Sequence, residues 1–370
     1  MFRNPFSAGP LAGPLVVGAA LLWAWLAAGG RSAESPEADR FVHPLSGEAE
    51  EFQIFLDLRR AASSPAGRLL FERALRDRPG LAATTRRFAE AVGLEPLEEI
   101  RELLVWGDLP PSSSVAAPAR AVEAALPSLA ARLGPRLGNL EGWLLAAPGY
   151  ASSRLDAETT LHSFLVVSAE PSGDAPGRSA AASEPARMWC ALPYFPDENC
   201  YVVLAAFDPN TVGTLAATLR SEGFDRLRGD LGDDDVFALT LNAMPAAAVR
   251  PNQPGSGVWE AVARFRAVVA SDAQRVEARA VVEAKNAEKA RQISQLAAGM
   301  AAAAALAYDE SPDARKQLLA ELLRERIELV RPEGSSRLEA RVALTTDFLE
   351  RFLASPAPSA RSKVASGETP

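Results

Sequence analysis

The sequence predicts an α+β protein in which mixed or antiparallel sheets carry helices on one face, in an order of elements that occurs twice. Three observations predict this. Apolar residues alternate with polar ones at 52–58, 276–282 and 338–344, the two-residue period of a strand with one buried face. Helical stretches with start and stop signals lie between such strands. Residues 52–108 and 274–345 also share one order, strand, long helical connection, strand, and amphipathic strands in short units bury their apolar side under helices.

Taken in order, "EFQIFLDL" puts Phe52, Ile54, Leu56 and Leu58 on one strand face, and Ser64-Pro65 then opens a helix as N-cap and first residue. Gly80 and Gly93 punctuate the helical stretch that follows, and "ELLVWGD" (102–108) returns as a strand. The middle of the chain predicts strands at 141–147, 160–169, 187–195 and 200–207, the last two joined by the turn "PDEN" (196–199). Asp208 and Pro209 start a helix whose stripe is Val212, Leu215, Ala216 and Leu219, with Gly223 just past its end. "DVFALTLNA" is compatible with a strand, and "PAAAVRPNQPGSG" reads as a linker. In "QRVEARAVVEA" Val276, Ala278, Ala280 and Val282 face inward; an alanine-rich helix (287–308) and a second helix capped by Ser311 and Pro312 follow. Strands 326–332 and 337–345 close the fold, with Ile327 and Leu329 sharing a face with Leu338, Ala340, Val342 and Leu344.

The N-terminus sets the compartment. Leu15 to Ala28 is a run of fourteen residues without charge or proline, preceded by Arg3 and followed by the small residues Ala27-Ala28-Gly29. That is the layout of a secretory signal, and counted from Leu11 the run reaches the lower edge of a membrane span, so residues 1–30 are a signal peptide or an uncleaved anchor. Residues 31–46 form a tether, 47–250 a first α+β domain containing a disordered loop at 169–187, 251–353 a second α+β domain, and 354–370 a disordered tail. A chain that is 48% hydrophobic and 23% charged is able to bury a core. With a net charge of −8 and no dense basic stripe, nucleic acid is not an expected partner.

An exported chain with two cysteines favours a disulfide, and Cys190 and Cys200 in "MWCALPYFPDENCY" are the candidates. Trp189, Tyr194, Phe195 and Tyr201 cluster around them as a candidate interaction patch, against the plainer reading of alternate core positions. The acidic run "DRLRGDLGDDD" offers Asp230, Asp233, Asp234 and Asp235 as weak calcium ligands, without the spacing of a helix–loop–helix calcium site; a solvated turn is the plainer reading. No nucleophile-elbow, phosphate-loop, dinucleotide or zinc-protease motif occurs. Only His43 and His162 are available as histidine bases, and His162 falls in a predicted strand. The sequence therefore assigns no catalytic, metal or cofactor residues, and leans away from an enzyme.

The order of elements resembles a loose group of exported bacterial proteins of unknown function, with an N-terminal signal and repeated ferredoxin-like α/β modules. The resemblance covers about residues 50–350 and rests on element order alone. It implies an exported or membrane-anchored envelope protein with an interaction or assembly role, whose partners are unidentified envelope proteins and, if the first segment is retained, the membrane. A carboxylate-based envelope hydrolase and an inner-membrane scaffold subunit of a secretion or pilus-like system are the alternatives.

Overall fold

The computed structural model describes residues 51–107, 128–166, 186–242 and 261–354, apart from 66, 70–85, 87–88, 95, 224–230, 233, 273–274 and 310–313. The N-terminal segment, the tether, the loop at 169–185 and the tail lie outside them. In chain order the strands are β1 (Phe52–Asp57), β2 (Ile100–Gly107), β3 (Ser128–Leu133), β4 (Ala151–Arg154), β5 (Thr160–Val166), β6 (Ala186–Ala191), β7 (Tyr194–Phe195), β8 (Cys200–Ala206), β9 (Asp235–Leu241), β10 (Val262–Ser271), β11 (Arg275–Ala284), β12 (Ile327–Val330) and β13 (Arg337–Thr345). The helices are α1 (Leu58–Ser63), α2 (Pro96–Glu99), α3 (Leu140–Leu145), α4 (Pro209–Glu222), α5 (Ala287–Asp309), α6 (Ala314–Glu325) and α7 (Thr346–Ala354).

The strands join in one sheet, in the order β12-β13-β11-β10-β9-β1-β2-β3-β8-β6-β5-β4, with β7 paired to β8. Every pairing is antiparallel. The α+β class read from the sequence is the class observed. The sheet is continuous where the two expected domains would meet: β9 pairs β1 on one side and β10 on the other, so the linker at 243–260, outside the described residues, does not divide the sheet.

The two faces of the sheet carry separate cores, because successive side chains in a strand point to opposite sides. On the first face Phe52 and Ile54 of β1, Leu103 and Val105 of β2, Leu129 and Ala131 of β3 and Val203 and Ala205 of β8 meet Leu58 of α1, Leu140 and Leu144 of α3 and Ile293 of α5. On the second face Phe55, Leu104, Trp106, Ala130, Val202 and Leu204 lie under the α4 stripe of Val212, Leu215, Ala216 and Leu219. Helices thus cover both faces of the central strands. α4 begins where the sequence places it: the Asp208 carboxylate accepts from Thr211 N at 2.8 Å, and Gly223 ends the helix at φ 77°. Its last turn is tied down by Arg220, which pairs with Asp156 in the β4–β5 connection at 2.5 Å; the guanidinium holds that carboxyl down at a pKa of about 2.

Several sequence expectations need correction. Of residues 141–147, expected as a strand, 141–145 belong to the helix α3, whose apolar positions Leu140 and Leu144 are one helical turn apart on the core side. Helices are not confined to one face, since α4 occupies the second. The strands β3, β4 and β10 and the helix α7 had no sequence counterpart. Ser64, expected as an N-cap, does accept from Gly67 N through its hydroxyl at 3.0 Å, but α1 already starts at Leu58, capped by Asp57. Ser311 and Pro312 lie outside the described residues.

The candidate anion cleft

The cysteines settle first. Tyr194 faces Tyr201 and Phe195 faces Cys200, and the same register continues as Ala191–Leu204 and Cys190–Ala205. Cys190 is therefore opposite a residue five positions beyond Cys200, about 17 Å along the strand. Bridged cysteines keep their Cα atoms within about 6.8 Å. The two side chains also point to opposite faces, Cys190 into the first core and Cys200 into the second. Both are free and buried, and the expected disulfide is not formed. Burial alone pushes the Cys190 thiol up to about 12.

The same alternation divides the aromatic group. Tyr194 and Tyr201 meet with tilted rings, their centroids 4.8 Å apart, on the first face, while Trp189 and Phe195 pack on the second core. Only Tyr194 of the four is exposed, so they do not form one surface. The tight turn between the arms is real: Asn199 takes φ 47°, a left-handed conformation that asparagine tolerates.

Of the acidic run, Asp230 and Asp233 lie outside the described residues. Asp235 is buried and committed, accepting from Gly232 N at 2.7 Å and pairing with Arg279 at 3.6 Å. Among the described residues no group of three or more histidine, cysteine or carboxylate side chains is placed to hold a metal ion. His162 is buried in β5, with Nδ1 3.0 Å from the Tyr150 hydroxyl, and desolvation lowers its pKa. It belongs to the packing of the β4–β5 region, with no nucleophile aligned on it in these contacts.

The chemistry collects elsewhere, in a cleft of about 310 Å³ at one end of β1, β2 and β3, lined by Asp57, Arg59, Arg60, Ser63, Arg101, Glu102 and Arg132. Three features of the chain build it. The strand β1 runs straight into α1, so Asp57 is both the last strand residue and the cap whose Oδ1 accepts from Arg60 N at 2.8 Å, and the first turn of α1 presents Arg59 and Arg60 beside it. In β2 the register slips between Ile100 and Glu102: Ile100 faces Leu133, Glu102 faces Arg132, and Arg101 is the extra residue of a β-bulge. Bulges re-aim side chains at sheet ends, and this one turns Glu102 to the second face. In β3, Arg132 stands opposite Glu102 at 3.3 Å and also reaches Glu198 in the β7–β8 turn.

Asp57 and Glu102 are cross-strand partners, both buried. Two carboxylates directly opposed destabilise a sheet unless cations offset them. Arg132 supplies that offset for Glu102. Burial opposes the Arg132 charge, but Glu102, the hydrogen bond with Cys200 and Glu198 together outweigh it, so its pKa stands above the ordinary value. The Cys200 thiol is raised by burial, with Arg132 pulling the other way. No sequence motif marks this cleft. Its residues come from three separate stretches, and what could have been noticed is the pair of arginines directly after a strand, in "LDLRR".

Fold and cleft define an α+β protein on one large antiparallel sheet with an arginine-rich cleft at the strand ends. No protein-family model matches the chain, and no curated protein matches it. Among solved structures, TP0453 in crystal forms III, I and IV is similar, with 8%, 9% and 8% identity and TM-scores of 0.41, 0.36 and 0.38. These matches cover 86% of this chain and 99%, 99% and 98% of the TP0453 chains. Nothing about ligand or role follows from likenesses of this size.

Proposed function

We propose that this is an exported or membrane-anchored cell-envelope protein that works by binding rather than by catalysis. The observation that carries the binding reading is the state of the two cleft carboxylates. Asp57 caps α1 and Glu102 pairs with Arg132, so both carboxylates are engaged in holding the fold around the cleft. The compartment is supported by the apolar run Leu15–Ala28 and the small residues after it. Among the described residues no helix is long and apolar enough to cross a membrane.

The test joins both parts. Residues 1–45 fused to a reporter active only outside the cytoplasm give signal in a bacterial host. Two arginines inserted after Leu21 abolish it, since each costs about 2.5–3.5 kcal/mol at the centre of an apolar segment. Crosslinking in intact envelopes then recovers discrete adducts of the full chain. A cytoplasmic reporter would refute the compartment, and a chain that crosslinks to nothing would refute the envelope interaction role.

A further inference from the structure

We propose that the cleft between α1 and the ends of β1, β2 and β3 binds a small oxyanion, a phosphate or carboxylate group carried by a small molecule. The inference rests on the binding reading above and gives it a ligand chemistry. Four guanidinium groups line the cleft against two carboxylates, and the carboxylates are already engaged. Arg132 is held between Glu102 and Glu198. Among the described residues no ion pair engages Arg59, Arg60 or Arg101. Arg60 Nη1 is buried and donates to no acceptor.

A buried donor without an acceptor is costly, and native structures leave few of them. Arg60 lines the cleft, and an oxyanion there gives its guanidinium an acceptor once the group turns toward the ligand. Guanidinium groups present paired N–H donors in a fixed plane that matches carboxylate and phosphate oxygens two at a time, which an ammonium does not. The volume, about 310 Å³, is at the small end of ligand pockets, so the ligand is compact. Asp57 and Glu102, buried in its lining, set its polarity. They accept from hydroxyl groups, so the ligand carries its anionic groups toward Arg59, Arg60 and Arg101 and any donors toward the carboxylates.

The experiment is calorimetric titration of the purified full chain in detergent with three probes: inorganic phosphate, glycerol phosphate and succinate. At least one gives saturable binding that weakens as salt is raised. Preference for glycerol phosphate over succinate assigns the phosphate class, and the reverse assigns the carboxylate class. Arg60→Gln and Arg101→Gln each weaken binding about tenfold or more, as loss of a charged hydrogen bond requires. Arg341→Gln, on the distant part of the sheet, leaves it unchanged. Melting curves show that each variant is folded, and the bound probe raises the melting temperature of the parent but not of Arg60→Gln. No saturable heat from any probe would overturn the proposal, as would equal loss in Arg60→Gln and Arg341→Gln. Either result leaves the export and crosslinking outcomes standing.

Discussion

β2 and β13 belong to the same sheet, yet they are buried in different ways. In β2 every residue from Glu102 to Trp106 is buried, and in β8 all but Tyr201. In β13 only Leu338 is buried, and in β11 only Val276 and Ala284. The difference lies in the covering. Helices pack on both faces of the central strands, whereas the second face of β10, β11 and β13 carries ion pairs, Arg264–Glu283 at 2.6 Å and Arg341–Glu339 at 2.7 Å. One sheet thus contains a doubly packed half, which holds the cleft, and a half packed mainly on one side. A rigid binding site belongs in the first half, since its side chains are fixed by packing on both faces.

The largest test of that contrast is a pair of truncations. Leu204→Ala, in the second core of β8, is expected to cost about 2–5 kcal/mol in urea unfolding. Val281→Ala, half-buried on the second face of β11, is expected to cost under about 1 kcal/mol. Equal losses would break the comparison. A smaller perturbation sharpens it inside the packed half. Cys190 and Cys200 stay unlabelled by a neutral alkylating reagent while the protein is native, because both are buried and burial raises both thiols. Unfolding without reductant exposes two alkylatable thiols. A mass two hydrogens lighter, with neither thiol labelled, would show a bridge and contradict the strand register.

Much of this contrast could be read from the residues. "RVEARAVVEA" and "RLEARVALT" alternate, and they are the strands with one open face. "LLVWG" and "YVVLAA" are unbroken apolar runs, and they are the strands covered twice. The first pattern marks a strand with one buried face, and the second marks a strand with a helix on each face. The disulfide expectation failed on a count already available: a turn at 196–199 pairs 195 with 200, and so 190 with 205. The α3 error was one of period, since "EGWLLAA" is short enough to suit either element and tertiary packing selected the helix. β3 and β10 were missed because "SLAARL" and "VARFRAVVAS" interrupt their alternation with alanine and arginine. The cleft was not legible at all. It depends on a bulge at Arg101 and on three stretches meeting at the strand ends, which only the sheet order brings together.

Amide hydrogen exchange of the full chain, read by mass spectrometry peptide by peptide, tests the central claim most directly: one continuous sheet whose doubly packed half is its stable core. The account predicts the slowest exchange in β1, β2, β3 and β8, faster exchange in β11 and β13, and the fastest at the edge strands β4 and β12, since local opening follows how much packing covers each strand. Protection in β11 and β13 that equals or exceeds that of β2 and β8 would contradict it.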